Sequence, residues 1–268
     1  MDLRDLIEDV LILQPDWSDK NTPAMQQRSQ RVLRDIPTWL MARLDDLSSS
    51  ATWPEGDLAV DPSDGAGGKS EIPWVRIHSR SRSPRATLGW YVVFLFSALG
   101  DRCYLSLMPG TSTWSGHGPV SRPAAEMTAL VEWARRKLAG KLEDPRLTDL
   151  VQLDARRTDL GPSYERGTVV AVEYRLDNVP SDAQLLDDLR LQLSLLSLLY
   201  HEADFDPLIP GAEPPEIISA ERVLDELAGK YDKVSGGQGF MVNKAEQRLL
   251  NVAQWISSPS ITASWNGM

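Results

Sequence analysis

The chain has 268 residues, 42% of them hydrophobic and 25% charged, the proportions of an ordinary globular protein with room for one large domain or one domain plus an appendage. Its formal net charge of -10 argues against a uniformly basic nucleic-acid binder, and its single cysteine excludes an internal disulfide and a cysteine-built zinc site. That residue, Cys103, sits in an apolar stretch as a buried structural thiol does, and a lone cysteine fits a reducing cytosol.

Asp2 to Leu13 carries apolar residues at Leu3, Leu6, Ile7, Val10 and Leu11, the period of an amphipathic helix. Met1-Asp2-Leu3-Arg4-Asp5 opens on acids, unlike a secretory signal. The longest apolar run, Trp90 to Phe96, is far short of the roughly 20 residues a membrane span needs. A soluble, cytoplasmic protein with no membrane partner is expected. Trp17 to Asn21 is polar and turn-like. Thr22-Pro23 starts a helix expected to run to about Asp35, after which Pro37 kinks or restarts it, and Trp39, Leu40, Leu44 and Leu47 continue the pattern to about Asp46.

Residues 58 to 70 are rich in Asp, Pro and Gly and predict a loop, whose glycines match neither a phosphate-binding loop nor a dinucleotide fingerprint. Trp74 precedes the strand-like Val75-Arg76-Ile77, and a loop with Arg80, Arg82 and Arg85 follows. Gly89 to Leu107 predicts a hairpin turning at Ala98 to Asp101. Along its first strand Trp90, Val92, Phe94 and Phe96 share one face and Tyr91, Val93 and Leu95 the other. Both faces are apolar, as in a central strand covered on two sides or a barrel strand. Met108 to Val120 predicts a loop with Trp114 at its middle.

Ser121-Arg122-Pro123 begins a helix to about Leu138, with Gly140 as its stop. Leu150 to Leu153 and the β-branched Gly167 to Tyr174 predict strands. Ser181 caps a leucine-rich helix running to His201. Residues 204–217, acidic and proline-rich, predict a linker, and 218–268 a small helical segment or the start of a following domain, as in a piece of a longer protein. The fold expected is α+β: a curved mixed or antiparallel sheet or small β-barrel, flanked by helices, with a C-terminal helical tail.

Three histidines, His78, His117 and His201, and no metal-protease, serine-hydrolase or nuclease motif leave no catalytic residue, metal ligand or cofactor to assign. Acids near lysine at Asp16 to Lys20 and Asp225 to Lys230 fall on helices or loops rather than at a strand end. His117 is either a functional or a solvated loop residue. A binding module rather than an enzyme is expected.

The charge distribution says more than its sum. Lys69, Arg76, Arg80, Arg82 and Arg85 face a single acid, Glu71, within seventeen residues. Guanidinium forks with interleaved serines can grip successive phosphates, and Ser112 and Thr113 can add hydroxyl donors. The alternatives are a solvated loop, arginines paired with the chain's own acids, and a plain turn at Ser112-Thr113. Nine tryptophans are many for this length. Trp39, Trp133 and Trp255 lie at helical positions among leucines and read as core. Trp74, Trp90, Tyr91, Tyr104 and Trp114 lie on or beside the predicted sheet near the arginines. They can form an aromatic pocket for an extruded base, with core filling as the competing role for Trp90.

Four blocks carry a family resemblance: EIPWVRI, GWYVVFLF, YLSLMPGTS and, from Tyr164 to Leu189, YERGTVVAVEYRLDNVPSDAQLLDDL. Together they resemble the McrB-like N-terminal domain found at the front of modification-dependent (type IV) restriction endonucleases, over roughly residues 1–203. The resemblance implies a DNA-recognition module, tethered to a nuclease domain in the same full-length chain or in a partner subunit. Its ligand would be double-stranded DNA, including DNA methylated as 5-methylcytosine, read by base flipping. Three alternatives remain at this point: a modification-independent DNA anchor, a protein-interaction module of the same system, and a hidden metal-dependent nuclease.

Overall fold

The computed structural model describes residues 1–49, 53–65, 67–114, 119–158 and 160–205. The expected linker and tail beyond Phe205, Trp255 and His117 lie outside them. Helix α1 (Leu3–Leu13) buries the apolar stripe read from the sequence. Its first backbone amides, of Leu3 and Arg4, donate to the Asp182 carboxylate at 3.1 and 2.9 Å. That acid opens the helix at Asp182–Phe205, so the start of the chain is tied to the head of that helix. Helix α2 (Pro23–Gln30) is capped by Thr22, whose hydroxyl accepts from the Met25 amide at 3.3 Å.

The kink expected at Pro37 takes the form of a widened π-turn, Arg31–Asp35, before α3 (Ile36–Met41). Proline has no N–H for the carbonyl four residues back, and the wider turn absorbs the broken ladder. A short α4 (Leu44–Ser49) follows.

The expected loop at 58 to 70 begins as a strand, β1 (Leu58–Ser63), paired antiparallel to β2 (Trp74–Ser79). Its composition disguised it: Pro62 is compatible with a ladder because β1 is an edge strand. Next come β3 (Trp90–Phe96) and β4 (Arg102–Pro109), the hairpin read from the sequence. The expected loop after Met108 holds a small hairpin of β5 (Ser112–Trp114) and β6 (Pro119–Ser121). Helix α5 (Ala124–Lys137) and the two-residue β7 (Leu147–Thr148) follow.

Leu150 to Leu153, expected as a strand, joins no ladder. The Leu153 amide donates to the Glu165 carboxylate at 2.7 Å, and its carbonyl accepts from the Ala98 amide at 2.8 Å. Glu165 belongs to α6 (Leu160–Gly167), a helix hidden from sequence reading by two glycines and a proline. Pro162 sits in its first turn, where no amide donor is needed. A Cβ on Gly161 would stand 2.3 Å from that of Ala155, so a side chain there would push the segments apart. Strand β8 (Val170–Arg175) and the long α7 (Asp182–Phe205) complete the order.

The chain is thus α+β, with one open antiparallel sheet in the order β1-β2-β3-β4-β8-β7 rather than a closed barrel. Strand parity gives the sheet two different faces. Trp90, Val92, Phe94 and Phe96 join Val75, Ile77, Leu105 and Leu107 beneath α1, α3, α5 and α7 in the main core. Leu185, Leu189, Leu193, Leu196 and Leu199 supply the α7 side. Tyr200 closes the β3 backbone: its hydroxyl accepts from the Trp90 amide at 3.0 Å and donates to the Trp90 carbonyl at 2.6 Å. Cys103 is buried in this core as a free thiol. The opposite face carries Tyr91, Val93, Leu95, Tyr104, Met108 and Ala171 under Ile72, Val151 and Leu153. No helix among the described residues is long and apolar enough to cross a membrane.

Candidate nucleic-acid interface

The second face is covered by loops and one short helix, and the cover is incomplete. A cavity of about 290 Å³ opens between the sheet and its covering segments. Trp74 from β2, Tyr91 from β3 and Tyr164 from α6 form its aromatic walls; Val93, Leu95, Met108 and Leu160 supply its apolar surface. Register explains the meeting. Trp74 is opposite Leu95 and His78 is opposite Tyr91, so Trp74 and Tyr91 project from the same side of adjacent strands. The Tyr91 hydroxyl donates to the Ala86 carbonyl at 3.1 Å, tying the wall to the arginine loop. Burial pushes the Tyr164 phenol up to about 12, against a smaller opposing pull from the Trp74 indole. Burial raises Tyr91 further. Both phenols are therefore neutral at pH 7.

One side of the recess is the glycine-rich segment, through Ser63, Gly65 and Ser70. Gly65 has φ +106, and a Cβ there would meet the Gly68 carbonyl oxygen at 2.1 Å. The segment is fixed from beneath by Arg28, a fully buried guanidinium. Arg28 donates to the side chains of Gln14 and Asp64, each at 2.5 Å, and to the Ser70 carbonyl at 2.9 Å. Burial lowers the Arg28 pKa while the Asp64 charge opposes the fall. Ser29 and Lys69 also donate to Asp64, Lys69 at 3.1 Å. Lys69, expected at phosphate, is thereby committed to the loop's own acid.

The arginine loop divides in the same way. Arg76 is only 1% exposed. It pairs with Asp61 at 2.6 Å, reaches the Ser83 hydroxyl at 3.1 Å and lies 5.3 Å from the Tyr91 ring centre. It holds the loop to the sheet from inside. Arg82 is exposed but forms a two-pronged contact with Asp204 near the end of α7, and this pair holds the Asp204 carboxyl below its usual range. Arg80 and Arg85 are exposed and make no ion pair with any described residue. Ser112 lines the recess and Thr113 is exposed beside it.

The expected aromatic set is split. Trp90 lies on the helix-packed face, its ring centre 5.9 Å from that of Trp133. Tyr104 shares the face of the recess but does not line it; its hydroxyl accepts from the Gln152 amide at 3.3 Å. The backbone of Trp114 ends β5, and its side chain lies outside the described residues. Sequence reading missed Tyr164 and Leu160, both on the unrecognised helix. It also missed Arg122, which clips the recess by donating to the carbonyls of Gly110 at 2.7 Å and Thr87 at 3.2 Å. Exposed Arg157 is a further cation on this side. It lies 5.1 Å from the Trp17 ring centre, and the Trp17 indole in turn donates to the Ser70 carbonyl.

A larger cavity of about 690 Å³ lies at the other end of β2, against α7, with Trp53, Arg82, Tyr200 and Asp204 in its walls. Asp57 and Asp204 there outnumber Arg82, which sets its field against a phosphate backbone. The smaller recess is the better candidate for nucleic acid.

Sheet, helices and aromatic recess describe an α+β recognition module. Residues 13–201 match the family described as MrcB-like, N-terminal domain, and the chain belongs to that family. Membership fits a DNA-binding module of restriction systems, a domain that binds rather than catalyses. No curated protein matches the chain.

Proposed function

We propose that this chain reads a modified base in double-stranded DNA, holding the flipped base in the recess walled by Trp74, Tyr91 and Tyr164. The single observation that carries the reading is the convergence of three rings from three separate elements on one neutral, open cavity. Extruding a base costs a few kcal/mol and an aromatic stack returns about 1 to 3 kcal/mol per base, so two walls plus hydrogen bonds bring the exchange near balance. A substituent on the base then decides the outcome. Arg80 and Arg85 anchor phosphates beside the recess, with Ser112 and Thr113 as hydroxyl donors. Arg82 joins them when it leaves Asp204. Arg76 and Lys69 act from within, by holding the two loops in place. Cleavage falls to a nuclease domain in the same full-length chain or a partner subunit, in the cytoplasm.

The test is a titration of matched duplexes, unmodified and 5-methylated at one cytosine, at about 100 mM salt because phosphate contacts dominate affinity at lower salt. The methylated duplex should bind more tightly, and Trp74→Ala should remove that preference while leaving binding to the unmodified duplex. Equal binding of both duplexes by the unmutated chain would reduce the module to a phosphate anchor.

A further inference from the structure

The larger cavity beside α7 suits a ligand of the opposite charge to DNA. Its volume of about 690 Å³ falls within the roughly 300 to 1,000 Å³ of ordinary ligand sites. It lies on the helix-packed side of the sheet: Ser79 in its wall shares the parity of Val75 and Ile77 on β2, whereas Trp74 of the aromatic recess has the other. Two rings stand in its wall. The Tyr200 ring is locked, because its hydroxyl bonds both the amide and the carbonyl of Trp90. Trp53 meets it edge to face, with ring centres 6.3 Å apart. Arg82 shows what this wall can hold: its guanidinium carbon lies 5.2 Å from the Tyr200 ring centre while two nitrogens reach Asp204. A second carboxylate, Asp57, is fixed in place without a cation. It accepts from the Ser79 hydroxyl at 2.5 Å and from the Ser81 amide at 3.0 Å, and it makes no ion pair with any described residue. Each of its oxygens accepts one of these bonds and keeps a further lone pair. Burial pushes the Asp57 pKa up, but the bonds from Ser79 and Ser81 outweigh it and hold the group below the usual range, so it is charged at neutral pH.

We propose that this cavity is a binding site for an arginine side chain of a partner protein, carried on a basic peptide segment, whose guanidinium pairs with Asp57 and lies against Trp53 and Tyr200. Charge complementarity names the class of ligand: two carboxylates line the cavity with one guanidinium and His201, on a chain of net charge -10. Guanidinium is preferred over ammonium for two reasons. Its planar fork meets both oxygens of a carboxylate at once, and its flat face stacks on an aromatic ring. Arg82 is the intramolecular counterpart of this ligand. Its removal leaves Asp204 as a second acid for the incoming group. Site and recess lie on opposite sides of the sheet, so peptide and DNA do not compete, and the inference stands whether or not a base is read in the recess.

The experiment titrates the isotope-labelled 268-residue chain with end-blocked peptides of the form Gly-Ser-X-Ser-Gly, in which X is arginine, lysine or citrulline, the last a neutral isostere of arginine. NMR follows the Trp53 indole and the Ser81 amide. The arginine peptide should shift both signals to saturation, the lysine peptide should bind at least about threefold more weakly, and the citrulline peptide should leave both in place. Asp57→Asn should weaken the arginine peptide about fivefold, the upper range for a partly exposed ion pair. Glu55→Gln removes an exposed acid two positions away and outside the lining, and should change nothing. Arg82→Ala should tighten binding about fivefold by freeing Asp204. Absence of any shift with the arginine peptide, or equal binding of the citrulline or lysine peptide, would overturn the inference. Equal losses from Glu55→Gln and Asp57→Asn would overturn it too, by reducing it to general attraction to an acidic surface. Should Asp57→Asn loosen the loop, Arg82→Ala decides alone, and no gain in that variant means that the cavity does not hold the guanidinium.

Discussion

Trp90 and Trp74 stand on neighbouring strands of one sheet and play different parts. Trp90 projects toward α5 and α7 and is sealed in the helix-packed core; Trp74 projects to the other side and walls a recess that solvent can enter. The helical face is closed by leucines of the helices packed on valines, isoleucine and aromatic rings of the strands, an interaction with no directional demand. The recessed face is closed by loops held through directional contacts: Arg28 on Asp64, Arg76 on Asp61, Arg122 on two carbonyls. Apolar packing fills the space between the sheet and its helices. Polar struts fix loops at a distance from the sheet and leave a cavity. The rigid face serves as a scaffold for the strutted one.

The sharpest way to break this comparison is to truncate each tryptophan. Trp90→Ala should cost about 3 to 5 kcal/mol, as for a large aromatic removed from a packed core. Trp74→Ala should cost less than half of that, because its ring already borders open space. Urea unfolding of the two variants measures both, and equal losses would mean that the recess is as much core as the helical side. The struts come next. Arg28→Met leaves the buried Asp64 with Lys69 as its remaining cation, and the loss should be about 3 kcal/mol, the lower end for breaking a buried pair. It should also weaken selective binding, since the glycine-rich wall loses its support.

The division between faces also marks how much could be read from the sequence. The helical face was legible because its signals are periodic: α1 and α7 carry leucines and α5 carries Met127, Leu130, Val131 and Ala134 at helical spacing, and β3 alternates two apolar sets. Even the competing core role of Trp90 followed from that alternation. The recessed face was not, because its elements break local rules. β1 contains Asp-Pro-Ser and is a strand only because β2 lies beside it. α6 contains Gly-Pro and is a helix whose Gly161 is required by Ala155. Arg76 reads as a surface cation, and its burial depends on Asp61 and Ser83, residues that only the folded sheet brings to it. Sequence reading found Trp74 and Tyr91 by their place on or beside the predicted sheet near the arginines, and missed Tyr164, the third wall, because it lies on the element that local signals conceal.

Two smaller effects sharpen the assignment of the recessed side. Trp74→Ala should lower affinity for a modified duplex by about 1 to 3 kcal/mol, the range for one base stacked on one ring, with no matching change for unmodified DNA. The arginines should behave in the opposite sense. Arg80→Ala and Arg85→Ala together should weaken binding to every duplex alike and flatten the plot of log K against log salt by about 1.8, about 0.9 for each phosphate no longer neutralised. Arg82→Ala should do less than either, since Arg82 must first leave Asp204. A larger effect from Arg82 than from Arg80 would show that the pair with Asp204 opens on DNA and that the strand passes over the end of α7.

The smallest expected effect concerns His78, buried beneath the arginine loop. Its Nδ1 lies 3.2 Å from the Ser79 carbonyl oxygen and its Nε2 lies 3.0 Å from Asp61. Burial lowers its pKa below the ordinary 6.5, the nearby Arg76 charge lowers it further, and Asp61 only partly opposes them. The unfolded chain therefore takes up this proton at a higher pH than the folded one. Its contribution to stability is complete above about 6.5 and is lost as the pH falls through the lower folded value. His78→Gln keeps a polar side chain of similar reach without the proton, so thermal unfolding between about pH 7.5 and 5 should show a shallower loss of Tm in the variant than in the parent. Identical slopes would move the acid sensitivity away from this strut. A shallower slope with unchanged DNA selectivity at neutral pH would show that the arginine loop is held by the Arg76 pair, with His78 as a neutral filler beside it.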